Sequence, residues 1–472
     1  MSRCYNLGMN KGLLRLALAF LLAVASAGRA AAATFTVTSL ANAGPGSLRQ
    51  AVRKANASPG ADEVAFAPGL TGTITLTAGE ILITDHLVVH GPGAGVLTIS
   101  GNRQSRIFHV EKSGVAAPID VTLSGLTLTR GFSASGSVAG GAVFAESENL
   151  TILDSVISDS TSGAATEDPP PNGCGGNVGF FGTNGGTLRI VNSTLTRGTV
   201  DGIDFLLGGN LCVFKGRLIL ERSTLSGGTA RQGGGLFIDS LTEDSTIVLS
   251  TISGNQASDS GGGIFSASLG ATLTIDSSTI SGNTGGLPSP IYTGFGGGME
   301  IDQGNLQIIN STISGNAANG GGGGIFFSGG GTSSLFLRLT TVASNTAGKD
   351  GGGILVANPA AKVRLVHSIV AHGAPQDLAA LGSFAATMKA NYSLIEDPGD
   401  TLLVGDHNRV RVDPLLGPLA SNGGPTLTHG LLPGSPAIDA GNPAFPSPPP
   451  TDQRGFARIV GPAIDLGSVE AQ

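Results

Sequence analysis

Apolar residues recur at every second position along the middle of the chain, in short runs separated by clusters of glycine. Alternation with a period of two is typical of β-strands that bury one face. Two segments repeat: Ser-Thr-Ile-Ser-Gly-Asn or a close relative, and a glycine cluster followed by an apolar residue. They alternate in eight units of roughly 29 residues. The first segment begins at Ser155, Ser193, Ser223, Ser250, Ser278, Ser311, Thr340 and Ser368.

Three positions of the unit are apolar in all eight copies. One follows the glycine cluster, one lies two residues after the Ser or Thr that opens the first segment, and one lies three residues before it. Stacked units would place like residues about 4.8 Å apart and bury one continuous column. The copies of the three positions are Val143, Val178, Leu211, Leu236, Ile264, Met299, Ile325 and Ile354; Ile157, Leu195, Leu225, Ile252, Ile280, Ile313, Val342 and Val370; and Ile152, Ile190, Leu220, Ile247, Ile275, Ile308, Leu337 and Leu365.

We therefore predict an all-β protein, a right-handed parallel β-helix. A β-propeller would need hairpin turns between antiparallel strands, and no hairpin signature separates the strands of the unit. The Gly-Asn pairs at Gly254, Gly282 and Gly315 end a strand where a sharp corner is needed, and both residue types tolerate positive φ there. Stacked asparagine side chains could also hydrogen-bond along the column.

The two ends of the array differ from its units, as the caps of a solenoid do. Residues 47–56 begin with a serine N-cap and predict a short helix that covers the open end of the column. Its apolar face would consist of Leu48, Ala51, Val52 and Ala55. The predicted regions are the N-terminal cap and first rungs (34–110), the β-helix repeats (111–373) and a loop-rich C-terminal cap (374–472).

The first 33 residues resemble a secretory signal peptide, with a basic start and an apolar core from Leu16 to Val24. Their removal would take the net charge from −7 to −11, and an acidic protein is a poor partner for nucleic acid. No later stretch of about 18 apolar residues predicts a transmembrane segment in the mature chain. Glycine occupies 76 of 472 positions, which disfavours long helices. We expect a secreted or cell-envelope protein.

The ends of the mature chain resemble two known modules. The start, from Phe35 through Ser47-Leu48-Arg49-Gln50-Ala51 to Val64, resembles the CSLREA-type N-terminus of bacterial secreted β-helix proteins. It departs from that pattern by Gly46 in place of the cysteine and Gln50 in place of the glutamate. The segments from Asn422 to His429, Gly434 to Gly441, Asp452 to Gly455 and Asp465 to Gly467 are similar to the choice-of-anchor Q domain. The repeats also resemble those of polymorphic outer-membrane adhesins. These resemblances imply an exported parallel β-helix with no settled activity, and the absence of a sorting tail before Gln472 favours simple secretion.

Enzymes that cleave polysaccharides use paired carboxylates, and the repeat offers one set of candidates. Asp239 and Asp302 stand four positions past the glycine cluster, two units apart, with Ala267 between them. Their predicted separation is about 10 Å, near the upper end of the distances between the two carboxyl groups of inverting glycosidases. Glu300 adds a third acid nearby. The alternative is that these are solvated carboxylates at strand ends or turns. The chain has neither the Asp-Asp pair nor the Gly-His-Gly of pectin hydrolases.

Four phenylalanines occupy one column two positions past the glycine cluster, where alternation places side chains outside the solenoid. They form either a stripe that is covered by a loop or stacked on itself, or a flat binding face for a glycan or a partner protein. The chain has no tryptophan to provide another stacking platform. The candidate binding residues are Phe144, Phe237, Phe265 and Phe326.

The remaining candidates are polar residues and cysteines. His367 and His372 fit surface or corner positions, and without any metal-binding motif we predict no metal and no cofactor. Cys174 and Cys212 lie in adjacent units but five positions out of register, about 16 Å of strand, so only a bend between them would permit a disulfide. A group that resembles an acid/base or metal set is better explained as hydrogen-bonded corners: His429, Asp439, Asp452, Arg454 and Asp465.

Together these observations favour an exported cell-envelope or extracellular β-helix scaffold. Its expected role is adhesion, or the binding of an extracellular polysaccharide or a surface protein, without catalysis. The alternative is an extracellular carbohydrate-active enzyme, either a polysaccharide lyase or a glycoside hydrolase, whose acids would be Asp239, Glu300 and Asp302. A purely structural sheath protein is the third interpretation.

Overall fold

The fold is seen in a computed structural model. It describes residues 32–112, 114, 117–134, 139–163, 173–202, 206–286, 294–382 and 387–472. The predicted signal peptide (1–33) lies outside the described residues except for its last two positions.

A short helix, α1 (Leu48–Ala55), precedes most of the strands. The Ser47 side chain caps it by accepting a hydrogen bond from the backbone N–H of Gln50. Its four apolar residues are buried and join the core beside Val37 and Val64, which confirms the predicted helical face.

Sheet A contains 23 described strands, all in parallel pairings, and most turns of the solenoid contribute two of them. Its strands are Thr34–Val37, Asp62–Phe66, Ile81–Ile83, Leu87–His90, Phe108–Val110, Asp120–Ser124, Val143–Glu146, Asn149–Leu153, Val178–Val191, Leu211–Glu221, Leu236–Asp239, Ser245–Val248, Ile264–Ser268, Thr272–Asp276, Met299–Ile301, Asn305–Ile309, Ile325–Phe327, Ser334–Arg338, Ile354–Val356, Lys362–Val366, Leu378–Ala380, Thr387–Asn391 and Leu402–Val404.

Sheet B follows sheet A around each turn and is also parallel. Its strands are Gly72–Thr75, Leu97–Ser100, Thr127–Thr129, Val156–Ser158, Thr194–Thr196, Thr224–Ser226, Thr251–Ser253, Thr279–Ser281, Thr312–Ser314, Thr341–Ala343, Ile369–Ala371, Leu394–Ile395 and Arg409–Val410. The parallel pairing therefore continues past residue 373, as far as Val410.

Sheet C closes the turns in the middle of the solenoid. Its strands are Phe132–Ser133, Thr161–Gly163, Gly173–Cys174, Thr199–Asp201, Leu206–Leu207, Thr229–Gln232, Gln256–Ser260, Thr284–Gly285, Ala317–Ala318 and Thr346–Ala347. The one antiparallel pair among the described strands is a hairpin of Leu416–Ala420 and Thr428–Leu431.

The three predicted apolar columns form the core. In each column the residue of one turn pairs directly with its equivalent in the next turn. All of these side chains are at most 1% exposed. Each buried Ile or Leu contributes about 1.5–3 kcal/mol before conformational entropy is counted. The prediction of a parallel β-helix is confirmed.

A ladder of six asparagines runs inside the solenoid, where the Nδ2 of each donates to the Oδ1 of the next at 2.9–3.0 Å. The last four occupy the corner after the Ser-Thr-Ile-Ser segment, whereas the first two come from the glycine cluster. The position that lacks the asparagine holds glycine in these turns: a Cβ on Gly235 would lie 2.8 Å from the Nδ2 of Asn255. Each turn therefore has room for one such side chain. The ladder is Asn177, Asn210, Asn255, Asn283, Asn316 and Asn345.

After the last rung, residues 411–472, here called the C-terminal segment, fold back along the outer face of sheet B. The Thr279 hydroxyl donates to the carbonyl of Leu427 at 2.6 Å, and the backbone N–H of Ser468 donates to the Oγ1 of Thr341 at 3.0 Å. This loop-rich segment therefore covers the flank of the solenoid across the strands from residue 279 to residue 371.

Candidate functional site

The structure places Glu300 in the outer apolar column, paired in register with Phe265 on one side and Phe326 on the other. Its side chain is 7% exposed, and its Oε2 has no hydrogen-bond partner among the described residues. Burial, and then the negative charge of Asp302, raise the pKa of Glu300 to about 8. Its carboxyl group is therefore protonated at neutral pH.

Asp302 lies two residues further along and on the same side of the strand as Glu300. It accepts a hydrogen bond from the Ser328 hydroxyl at 2.9 Å, and burial raises its pKa. Its negative charge lies close enough to raise the pKa of Glu300. The structure therefore brings these two candidate acids together.

Asp239 does not share the predicted column. A bulge shifts the register after Ile238, so that Asp239 pairs with Ser268 and not with Ala267. Its carboxylate accepts from the hydroxyl of the adjacent Ser240 at 2.9 Å. The predicted alignment of Asp239, Ala267 and Asp302 is wrong because the repeat spacing alone does not reveal a bulge.

The four candidate phenylalanines lie on the outer side of sheet A, yet Phe144, Phe237, Phe265 and Phe326 are only 0–5% exposed. In two turns this column holds Gly179 and Cys212 instead of phenylalanine. Phe181 and Phe214, two residues further along the same strands, continue the row of rings there, and the repeat spacing does not predict them. The rings from Phe144 through Phe181, Phe214 and Phe237 to Phe265 follow one another at 5.2–5.6 Å between centroids. Phe295 stacks on Phe326 at 4.5 Å. The stripe is therefore covered and stacked on itself, and leaves no flat aromatic face in these positions.

Cys174 and Cys212 form a disulfide with a Cα–Cα distance of 5.5 Å. Cys174 pairs with Leu207, five residues before Cys212, as the register predicts. The required bend lies between them at Gly208, whose φ is +65°. This corner turns the chain back toward Cys174. The two sulfur atoms therefore lie close together, although five residues of extended strand would have kept them about 16 Å apart.

Two columns of side chains, all of them Thr or Ser except Val156, cover the outer side of sheet B, and we call them the hydroxyl face. In Ser-Thr-Ile-Ser the Thr and the second Ser flank the inward Ile, so both point outward. Consecutive strands are in register and about 4.8 Å apart. The first column contains Thr73, Thr98, Thr127, Val156, Thr194, Thr224, Thr251, Thr279, Thr312 and Thr341, and the second contains Thr75, Ser100, Thr129, Ser158, Thr196, Ser226, Ser253, Ser281 and Ser314.

The hydroxyl face divides into two halves after the strand Thr251–Ser253. Before that point most of its side chains are at least partly exposed, and from Thr279 onward they are buried. Gln453 of the C-terminal segment makes the central contact of the covered half: its Nε2 donates to Thr279 Oγ1 at 3.0 Å, and its Oε1 accepts from Thr312 Oγ1 at 2.6 Å. The sequence signal for this face was present in the repeat, at the two positions that flank each inward isoleucine.

A cleft of about 440 Å³ opens at the exposed end of the hydroxyl face. Arg103 and Arg130 are exposed, and neither guanidinium has an ion-pair partner within the described part of the chain. The carboxylate of Asp159 is instead bound by Arg197 through contacts of 2.7 and 2.8 Å, and these hydrogen bonds hold its pKa below the ordinary value. The cleft is lined by Thr73, Thr98, Ser100, Arg103, Thr129, Arg130 and Asp159.

The polar residues singled out in the C-terminal region hydrogen-bond within the fold. Asp452 accepts from Arg454 Nε and Nη2 at 2.9 and 2.6 Å. Asp465 accepts from the backbone N–H of Asp439 at 2.6 Å. His429 contacts the carbonyl of Gly417 through Nδ1 at 2.7 Å, so its proton is on Nδ1 and its Nε2 accepts from the Ser314 hydroxyl at 2.8 Å. Burial lowers the pKa of His429, which keeps the ring neutral.

The two other candidate histidines, His367 and His372, both occupy corners with positive φ but differ in exposure. His367 is 1% exposed because Phe445 of the C-terminal segment covers it, so it is not a surface residue, and burial lowers its pKa to about 4. His372 is exposed and lies beside Glu396 and Asp413. It also borders a pocket of about 520 Å³ between the corner glycines and the hairpin. No repeat position of the sequence reveals this group, because its members come from three different turns.

The match to a family model supports the fold. Residues 178–370 match the family model described as "Right handed beta helix region", in agreement with the predicted right-handed parallel β-helix. The crystal structure of pectate lyase Pel9A is similar at a TM-score of 0.44 and 14% identity, over 94% of this chain and 98% of that chain. Geobacillus virus E2 ORF18 is similar at a TM-score of 0.31 and 11% identity, over 78% of this chain and 66% of that chain. No curated protein matches the sequence.

Proposed function

We propose that this protein is an exported, non-enzymatic scaffold that binds an extended acidic polysaccharide along the exposed half of its hydroxyl face. The signal-like first 33 residues support export. The disulfide between Cys174 and Cys212 supports an oxidising compartment, where such bonds persist. The resemblance of both ends of the chain to modules of exported β-helix proteins agrees with this proposal. No helix among the described residues is long and apolar enough to cross a membrane.

The chemistry of the face favours a polysaccharide over a compact ligand. Its hydroxyl groups follow one another at about 4.8 Å along the solenoid axis and can each donate and accept hydrogen bonds. In the covered half, the first of these columns already holds an extended polar chain, the C-terminal segment, through Thr279, Thr312 and Thr341. The exposed half has the same groups available for another extended polar chain.

The observation that carries the proposal is the cleft between Arg103 and Arg130. Neither guanidinium forms an ion pair with a described carboxylate, and two such groups beside a row of hydroxyls suit a sugar chain bearing carboxylate or sulfate groups. Because both arginines are exposed, the electrostatic part of this binding weakens as the salt concentration rises.

The test is calorimetric titration with polygalacturonate, alginate and a neutral glucan. We expect binding to the acidic polymers. The affinity should fall by about tenfold or more in the double variant Arg103→Ala/Arg130→Ala, because two charge-assisted contacts are lost. Arg222→Ala is the matched control, since Arg222 is also an exposed arginine with positive φ but lies outside the cleft. Equal affinity of the double variant and the control, or no binding of any acidic polymer, would reject the proposal.

The alternative, a carbohydrate-active enzyme, is favoured by the Glu300–Asp302 pair. A general acid must be protonated at the working pH, and burial holds the pKa of Glu300 at about 8. Against catalysis, the Glu300 side chain is 7% exposed, which restricts access of a sugar chain to it.

An assay for reducing ends and unsaturated products with the same acidic polymers separates the two functions. A scaffold gives no turnover. Turnover that is abolished by Asp302→Asn and by Glu300→Gln, but retained by Asp239→Asn, would establish the enzyme and end the proposal of a non-catalytic scaffold.

A further inference from the structure

Three side chains with metal-ligating atoms converge where the chain leaves the last rungs of the solenoid. His372 follows the strand Ile369–Ala371, Glu396 follows the strand Leu394–Ile395 of the next turn, and Asp413 follows the last strand of sheet B. One nitrogen or oxygen atom of each lies within 4.8 Å of those of the other two. We propose that His372, Glu396 and Asp413 form a binding site for a divalent transition-metal ion.

The distances around the imidazole fit a common ion. His372 Nε2 lies 3.3 Å from Asp413 Oδ1 and 3.6 Å from Glu396 Oε2. Two ligands that each bind zinc at about 2.1 Å with a tetrahedral angle are about 3.4 Å apart. The two distances from the imidazole nitrogen are therefore close to the spacing between neighbouring ligands of a tetrahedral zinc ion.

The backbone holds the two carboxylates in place. Glu396 Oε2 accepts from the backbone N–H of His372 at 2.9 Å, and Asp413 Oδ1 accepts from the backbone N–H of Leu415 at 2.7 Å. Hydrogen bonds of this kind orient ligating carboxylates in metal sites. A carboxylate oxygen has a second lone pair, so these contacts leave each oxygen able to bind a metal ion.

The donor set selects the class of metal. An imidazole with two carboxylates suits zinc and its transition-metal neighbours, whereas magnesium and calcium prefer oxygen ligands alone. The side chains of His372, Glu396 and Asp413 are 34%, 30% and 56% exposed, so an ion can reach them from solvent. The ion would fasten the start of the C-terminal segment, which carries Asp413, to the two preceding turns.

The experiment is a titration of the full chain with Zn²⁺, followed by calorimetry and by thermal unfolding, with Mg²⁺ and Ca²⁺ for comparison. His372→Gly removes the imidazole and remains compatible with the backbone, because glycine occupies the same corner at Gly254, Gly282 and Gly315. Asp413→Asn is a second variant on an exposed side chain. The matched control is His86→Ala, which removes another partly exposed histidine that faces a carboxylate, Asp120.

We expect saturable binding of Zn²⁺ by the wild-type protein and by His86→Ala, with a rise in unfolding temperature. Binding to His372→Gly should be weaker by about 100-fold or more, since a direct ligand is lost. Asp413→Asn should show the same loss, which makes the result independent of the stability of one variant. Absence of saturable binding, or equal affinity of His372→Gly and His86→Ala, would overturn the site.

Discussion

Asn210 and Asn255 are 45 residues apart in the chain, and the Nδ2 of one donates to the Oδ1 of the other at 3.0 Å inside the solenoid. This bond joins the two parts of the ladder, because Asn210 comes from a glycine cluster and Asn255 from the corner after the Ser-Thr-Ile-Ser segment. The ladder is therefore continuous although its members come from two different positions of the repeat. An amide group occupies the same place in each of these turns, but the repeat position that supplies it changes between Asn210 and Asn255.

Loss of one amide from this ladder should destabilise the protein. Asn283 donates to Ile252 O and Asn316 Oδ1, and its Oδ1 accepts from both the backbone N–H and the Nδ2 of Asn255. Asn283→Ala leaves these buried groups without partners, which should lower the free energy of unfolding by about 2–4 kcal/mol. The measurement is the urea midpoint, and the control Asn305→Ala removes an exposed asparagine. Equal midpoints for the two variants would contradict the role of the ladder.

Glu300 should make the stability of the protein depend on pH. Its pKa is about 8 in the native state, against an ordinary value of 4.5, so between these pH values the native state holds a proton that the unfolded chain has released. Native stability therefore falls as the pH rises from about 4.5 to about 8. Glu300→Gln removes this dependence and should be more stable than wild type at pH 8, by on the order of 2 kcal/mol or more, with a small difference at pH 5.

Thermal unfolding at a series of pH values tests this expectation. Asp239→Asn is the control, because its carboxylate lies outside the Glu300–Asp302 pair. The prediction fails if the difference in unfolding temperature between Glu300→Gln and wild type is the same at pH 5 and pH 8.

The disulfide should contribute measurably to stability. It closes a loop between residues that are 38 positions apart, which restricts the unfolded chain and corresponds to about 2–4 kcal/mol. Cys174→Ser/Cys212→Ser should therefore unfold at a lower urea concentration than the wild-type protein. Addition of a reductant should lower the wild-type midpoint toward that of the double variant and leave the double variant unchanged; a reductant effect of equal size on both proteins would speak against the bond.

Gln453 should control the docking of the C-terminal segment. Its Nε2 donates to Thr279 and Thr426 at 3.0 Å, and its Oε1 accepts from Thr312. Gln453→Ala removes these buried hydrogen bonds between the segment and sheet B, so we expect faster hydrogen exchange in residues 411–472 while the core strands of the solenoid keep their protection. Gln303→Ala, at an exposed glutamine, should leave exchange unchanged. Uniform loss of protection throughout the chain would show that the segment and the solenoid unfold together.

The fold could be predicted because its core obeys a local rule. A period of two within each strand and a period of roughly 29 residues between units determine which side chains stack, and Ile252, Ile280 and Ile313 lie where that rule places them. Bulges and bends are not visible in such a pattern. The shift at Asp239 and the turn at Gly208 each depend on backbone geometry at one residue. The shift makes the predicted acid column wrong, and the turn supplies the bend that the disulfide requires.

The candidate sites were harder to predict because they depend on what covers a surface. Alternation correctly placed Phe265 and Phe326 outside sheet A, but it could not show that Phe214 and Phe295 cover the stripe. The shifted pKa of Glu300 likewise depends on its burial and on the charge of Asp302, which no spacing reveals. The His372 group requires three side chains from three turns to meet, and no spacing within a single unit describes that arrangement.

The contacts that Gln453 makes with residues far earlier in the chain require a particular order of folding. It contacts the carbonyl of Ser278, 175 residues earlier in the chain, and its hydroxyl partners lie on separate strands that must already be stacked side by side. The solenoid can grow rung by rung from local contacts, whereas closure of its flank has to wait for a finished surface. A chain that emerges N-terminus first therefore presents the whole row of hydroxyls to its surroundings until the C-terminal segment has followed and docked.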